Sequence, residues 1–313
     1  MPHRCLVVKP SSFGDIIHGL QVIESLKQDL KEEIQITWIV RDLFAPFVHC
    51  CTTVDEILVF NRGEGLRGMI RLLSKIRRGS YDSVIDLQGL LRSGIMTAAA
   101  KSSRKIGRTD SREGASFFYN EKIIPCSRVE SHAIEKLINI KFCFGLKNQL
   151  SSKLEFKKVD LCGFPDLKNK KIIVIYPESR RKEKEWNQFI PLTIDLLKKN
   201  YFVVWAGVNK KEFPEQHASF LNLTNALSID QLPTLMNQSD LVIANDSGPM
   251  HLAAAMNLSV LSLFGPTDPK MYGPYPSESK RNHVIQSPSN CMKDIRLEEV
   301  FLKVTQILSS SPF

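Results

Sequence analysis

Strand-like apolar runs alternate with helix-like periodic segments along the whole of this 313-residue chain. Residues 5–8, 34–40, 56–60 and 83–86 read as strands, and 16–26, 43–47, 66–75 and 92–100 as helices. That alternation leaves few folds open. Parallel strands need a long crossover, and a helix supplies it, so βαβ units build a largely parallel sheet with helices on both faces. Beyond a polar loop at 108–115 and the aromatic cluster Phe117-Phe118-Tyr119, residues 131–144 read as a helix and 153–157 as a short edge strand. Composition then shifts to Gly, Pro, Asp and Lys over 159–171, which reads as a linker. A second series follows: strands at 171–176, 202–206, 241–244 and 259–264, and helices at 186–199, 210–220, 228–236, 250–255 and 297–308. The length exceeds what one core usually serves. The expected fold class is therefore α/β, with two doubly wound Rossmann-like domains facing across a cleft. Their expected bounds are 1–160 and 170–295, with a closing helix at 296–313. Ligands of such sheets bind beyond the carboxyl ends of the strands.

With 43% hydrophobic and 24% charged residues, the chain has the composition of an ordinary folded soluble protein. No apolar run approaches the ~18 residues of a membrane span, and the first is too short for a signal peptide. The cysteines (Cys5, Cys50, Cys51, Cys126, Cys143, Cys162 and Cys291) are scattered, with no CxxC pair. Free thiols and a reducing cytoplasm are expected. The formal net charge of +9 favours an anionic partner. Cations concentrate at Arg62, Arg67, Arg71, Lys75, Arg77 and Arg78, and again at Arg92, Lys101, Arg104, Lys105, Arg108 and Arg112. A solvated helix face accounts for such a run, and so does an acidic glycolipid or an anionic membrane surface. No nucleic-acid motif or interleaved aromatic platform accompanies it, so nucleic acid is not an expected partner.

Three turns carry candidate chemistry. The first is Lys9-Pro10-Ser11-Ser12-Phe13-Gly14-Asp15, with a single glycine and no dinucleotide fingerprint. Gly14 would let the loop approach a ligand closely, and Asp15 stands at a helix start, as a cap or as a general base. The second is Tyr176-Pro177-Glu178-Ser179 and the basic run to Trp186, where fixed cations could stabilise a departing diphosphate. Ser179 and Lys184 are its leading candidates, with Lys182 behind them; a charged surface helix start is the alternative. The third is Asn245-Asp246-Ser247-Gly248-Pro249-Met250-His251, a strand end running into a helix whose free N–H groups make an anion site. Asp246 would accept from sugar hydroxyls or from Lys184, since it repels phosphate. His251 would face the ligand or simply pack. No DxD, HExxH, GxSxG or Walker sequence occurs, and histidines and cysteines show no metal-ligand spacing, so neither metal nor cofactor is expected.

These blocks, with Lys184-Glu185-Trp186 and Phe264-Gly265-Pro266-Thr267-Asp268-Pro269, resemble in order the signatures of glycosyltransferase family 9, the ADP-heptose:lipopolysaccharide heptosyltransferases. The stretches Ile85–Ser93, 117–120 and 132–136 are most similar to the heptosyltransferase I branch. The resemblance implies a GT-B fold and an inverting, metal-independent transfer of heptose from ADP-heptose to the Kdo sugars of lipopolysaccharide. It implies Asp15 as catalytic base. Ser179, Arg180, Lys184, Ser247 and Gly248 would surround the donor diphosphate, with Asp246 and His251 nearby and Leu227 against the adenine. Ser12, Gly14, Arg62, Arg92 and Arg112 would serve a Kdo-lipid A acceptor at the anionic inner leaflet. The sequence departs from the family where a ribose-binding acid would fall: Lys210 stands there, with Glu212 two places on. The block Cys291–Ile295 is widespread outside the heptosyltransferase I branch, so heptosyltransferase II, or a relative using another nucleotide sugar, is the enzymatic alternative. A non-catalytic nucleotide- or glycolipid-binding protein is the other.

Overall fold

The computed structural model describes residues 2–125, 132–150, 153–161, 164–165 and 170–310. It divides into two compact units, Met1–Lys157 and Lys158–Phe313. The strands of the first are β1 (His3–Val8), β2 (Ile34–Arg41), β3 (Glu56–Phe60), β4 (Ser83–Asp86), β5 (Arg104–Arg108) and β6 (Glu121–Ile123). Its helices are α1 (Phe13–Asp29), α2 (Ala45–Cys50), α3 (Gly65–Arg78), α4 (Leu91–Ala99) and α5 (Glu135–Ile138). All six strands run parallel in the order β3-β2-β1-β4-β5-β6.

The second unit contains β7 (Ile172–Tyr176), β8 (Phe202–Gly207), β9 (Phe220–Thr224), β10 (Leu241–Asn245), β11 (Val260–Phe264) and β12 (Asn282–Gln286). With them come α6 (Phe189–Lys198), α7 (Leu232–Asn237), α8 (Gly248–Ala255), α9 (Pro269–Tyr272) and α10 (Leu297–Ser310). Its order, β9-β8-β7-β10-β11-β12, is that of the first unit counted from its own first strand, and again all parallel. In each sheet the chain reverses its direction of travel between the first and fourth strands of the unit. The two crossovers there leave on opposite faces, which opens a crevice at the carboxyl ends of β1 and β4, and of β7 and β10.

The central strands β7, β10 and β11 are buried at every residue, because helices cover both faces. In the second unit α6 and α10 pack one face through Leu192, Leu196, Val300, Val304 and Ile307 against Ile173, Ile175, Trp205, Ile243 and Leu263. In the first, Leu72 and Ile76 of α3 and Met96 of α4 meet Leu6, Val8, Ile39 and Val84. On the opposite face α1 crosses Trp38 so closely that a Cβ on Gly19 would lie 3.1 Å from its ring.

Several sequence expectations are corrected. Residues 210–220 form no helix. Pro214 removes an amide donor, and the Phe213 ring packs at a tilt on Phe220, centroids 4.2 Å apart, beside Trp205, instead of following a helical period. Lys211 is held against β9 by Thr224 and Asn222. The expected edge strand at 153–157 reduces to one antiparallel bridge, Cys51 to Phe156. The expected helix at 131–144 is the single turn α5 followed by a 3-10 segment, Asn139–Phe144, which carries fully buried Lys141 onto Asp29, Ser25 and the Gln149 carbonyl. Ser131, Cys126, Cys162, residues 311–313 and part of the expected linker lie outside the described residues. At 228–236 a 3-10 turn precedes α7, which starts with Pro233 in its first turn. Strands β5, β6, β9 and β12 have mixed polarity and no clear period, and sequence reading passes over them.

Candidate active site

In the second unit the crevice is built by the turns after β7 and β10. Buried Asn245 ends β10, and its Oδ1 accepts the Trp186 N–H at 3.0 Å, which ties the β7 turn to the β10 end. Trp186 is in turn anchored through Nε1–H to the Ile295 carbonyl. On this frame Lys184 Nζ donates to Asp246 Oδ2 at 2.5 Å. Thr267 Oγ1–H donates to the same oxygen at 2.6 Å. The lysine and aspartate side chains are only 14% and 7% exposed, so the pair is largely desolvated and Lys184 cannot swing freely into solvent.

Ser179 joins the group. Its N–H donates to Glu185 and its hydroxyl to the Asp246 carbonyl, at 3.0 and 3.5 Å. Ser247, in an extended conformation, precedes α8 with its hydroxyl donating to the Asn245 carbonyl at 3.2 Å, and Gly248 is the first residue of the helix. A helix start leaves its first N–H groups without intrahelical partners. Here these are Gly248 and Met250, because Pro249 has none. The turn thus sets two amides, a hydroxyl and a fixed ammonium side by side, an arrangement suited to a diphosphate. His251 is half-buried one turn into α8, Arg180 is exposed in the β7 turn, and half-buried Leu227 follows β9. Thr267 carries no sequence expectation of its own, although it lies in the Phe264–Pro269 block. Only the structure brings it to Asp246. At the start of the turn after β11, Gly265 lets the Met292 segment pack closely: a Cβ there would lie 3.0 Å from the Met292 amide nitrogen.

In the first unit Asp15 stands exposed in the first turn of α1, at the carboxyl end of β1. Ser12 donates to its Oδ2 twice, from N–H at 3.1 Å and from Oγ–H at 2.6 Å. The cap and base readings are therefore compatible. The cap fixes where the carboxylate sits, and its exposure leaves it able to meet a ligand. Lys9 lies beneath, buried. Burial pushes its ammonium below the ordinary lysine range, opposed by the Asp15 and Asp86 carboxylates. Asp86, at the end of β4, accepts the Gln88 and Gly89 N–H groups and the Tyr119 hydroxyl, at 2.8, 3.0 and 2.7 Å. Burial lifts its carboxyl above the usual range, and these bonds oppose the lift. Gly89 (φ +67°) turns the chain out of β4, and a Cβ there would press on Ser111 Oγ at 2.8 Å.

Asp86→Ala should orphan three donors in the first unit and cost about 1–3 kcal/mol, read as a lower urea midpoint.

Arginines line the same carboxyl edge. Arg41 ends β2, Arg62 follows β3, Arg92 opens α4 after β4, and Arg108 and Arg112 end and follow β5. Arg62, Arg92 and Arg112 are exposed. Arg92 lies over the Phe60 ring, and the Arg112 N–H is held by the Gly89 carbonyl. Sequence reading missed Arg41. Its signal was available as a cation at the end of an apolar strand. Among the described residues no three His, Cys, Asp or Glu side chains come together to hold a metal ion. Nor is any helix there long and apolar enough to cross a membrane.

Two parallel six-stranded units of matching strand order define a GT-B-like fold. The family model for glycosyltransferase family 9 (heptosyltransferase) matches residues 69–305, and the chain belongs to this family. It is 24% identical over 289 residues to lipopolysaccharide heptosyltransferase 1 of Campylobacter coli, covering 84% of each chain. Its fold matches that of E. coli heptosyltransferase WaaC with ADP at a TM-score of 0.79 and 23% identity, over 97% of this chain and 99% of that one. E. coli ADP-heptose lps heptosyltransferase II matches equally, with a TM-score of 0.79 at 20% identity and 98% coverage of both.

Proposed function

We propose that this enzyme transfers heptose from ADP-heptose to the Kdo region of inner-core lipopolysaccharide, with inversion and without a metal ion. The observation that carries the reading is the Lys184–Asp246–Thr267 network at the start of α8, which holds a cation where a diphosphate would leave. The names of its relatives supply the heptose and the lipopolysaccharide. In this reading Asp15 removes the proton from the acceptor hydroxyl. The oxygen then attacks the anomeric carbon from the face opposite the leaving group, and the C–O bond to ADP breaks. Negative charge gathering on the diphosphate is met by Lys184, Ser179, Ser247 and the Gly248 amide, with Arg180 at the rim. Asp246 and His251 serve the sugar side and Leu227 the adenine. Ser12 and Gly14 shape the acceptor end, while Arg62, Arg92 and Arg112 meet the carboxylates and phosphates of Kdo-lipid A. The enzyme would work at the cytoplasmic face of the inner membrane as a peripheral protein.

Release of ADP tests the donor and acceptor assignments. ADP-heptose with Kdo-lipid A should turn over fastest in a panel of nucleotide sugars and of acceptors with and without a first heptose. Preference for the heptosylated acceptor would move the chain to the heptosyltransferase II reaction. Turnover should also survive excess EDTA, since fixed side-chain cations replace a metal in this scheme; loss restored by added magnesium would refute metal independence.

A further inference from the structure

We propose that the outward face of α3 and α4 is a docking surface for a bilayer of anionic lipids. The proposal rests on the reading of a lipid-linked acceptor and deepens it. Helix α3 turns Gly68, Leu72 and Ile76 into the core, which is enough to hold it in place. Yet it also presents Leu66 and Ile70 to solvent, 75% and 58% exposed, and neighbouring α4 presents Leu91 and Ile95, 44% and 38% exposed. Folding does not need these four aliphatic side chains outside the core, and grouped exposure of this kind marks an interaction surface.

The charges on the two helices themselves have one sign. Arg67, Lys75, Arg77, Arg78 and Arg92 are exposed, and neither helix contains an acidic residue. Two acids stand at the edge of this face: Glu64, paired with Arg71, and Glu113, which accepts the Leu91 N–H at 3.2 Å. A groove of about 560 Å³ joins the two features, lined by Ile70, Leu73, Ser74, Arg77, Arg78 and Lys101. Three cations beside two aliphatic side chains match a lipid phosphate and the first carbons of its acyl chains. Aliphatic side chains entering the interface while cations meet headgroups is the pattern of a peripheral membrane helix. The N-terminal ends of both helices lie at the carboxyl edge of the sheet, beside Arg62 and Arg92. A membrane under this face would present a sugar headgroup to that edge.

Vesicle flotation without donor or acceptor tests the surface independently of the reaction. The full chain should float with vesicles of phosphatidylcholine and phosphatidylglycerol in equal parts, and not with phosphatidylcholine alone. The triple variant Arg77→Ser, Arg78→Ser, Lys101→Ser should bind on the order of 100-fold more weakly, as loss of three cations at about 1 kcal/mol each implies. Leu66→Ser with Ile70→Ser should weaken binding as well. The three native tryptophans are buried, so a Leu66→Trp reporter should alone shift its emission to the blue on anionic vesicles. Undiminished flotation of the triple variant, equal binding to neutral vesicles, or self-association through this face in place of flotation would each overturn the proposal. If flotation holds but heptose transfer fails, the docking face stands and the acceptor reading falls.

Discussion

Asp15→Asn is expected to lower the rate of transfer by about 10²- to 10⁴-fold while ADP-heptose binding changes little. The asparagine keeps the size of the side chain, and its amide oxygen can still accept from Ser12, so the start of α1 should hold its shape. What is lost is the negative oxygen that, in the proposed mechanism, takes the acceptor proton. Donor affinity by calorimetry, set beside single-turnover rates, separates the two effects. A variant turning over within a few-fold of wild type would leave Asp15 as a helix cap and nothing more.

Lys184→Ala is the second large effect, and it should act on binding and rate together. Removing the ammonium takes away a fixed charge from the departing diphosphate, a loss of about 10²- to 10³-fold in kcat/KM. It also strands Asp246, 7% exposed, with Thr267 as its remaining side-chain donor. A buried carboxylate without its cation now repels the incoming donor, so ADP itself should bind more weakly. Asp246→Asn gives the contrast: Lys184 stays, the repulsion goes, and ADP affinity should fall less. Kinetics for Lys184→Ala indistinguishable from wild type would return the lysine to a surface-charge role.

Much of this was legible in the sequence because the central strands are buried on both faces. Residues 5–8, 172–176 and 241–244 form continuous apolar runs that stop at polar turns, and those turns hold the candidate residues. Edge strand β3 was legible at 56–60, but the edge strands of the second sheet were not, since Phe220–Thr224 and Asn282–Gln286 mix polar with apolar residues without a period. The same limit applied to the candidate residues of each unit. Asp15, Lys184 and Asp246 sit in turns that announce themselves, whereas Thr267 reaches Asp246 across 21 residues and Tyr119 reaches Asp86 across 33. No local pattern encodes such a contact. It exists because β10 and β11 lie side by side, and because β5 brings the 108–119 segment over the end of β4.

The central claim is the proposed reaction: this enzyme moves a heptose, with Asp15 as base and Lys184 beside the leaving diphosphate. Wild-type protein incubated with ADP-heptose and Kdo-lipid A, with the lipid analysed by mass spectrometry, tests it most directly. The account predicts one added heptose residue with wild type and none within the same time with Asp15→Asn. An unmodified lipid after prolonged incubation with wild-type protein that binds ADP-heptose would contradict it.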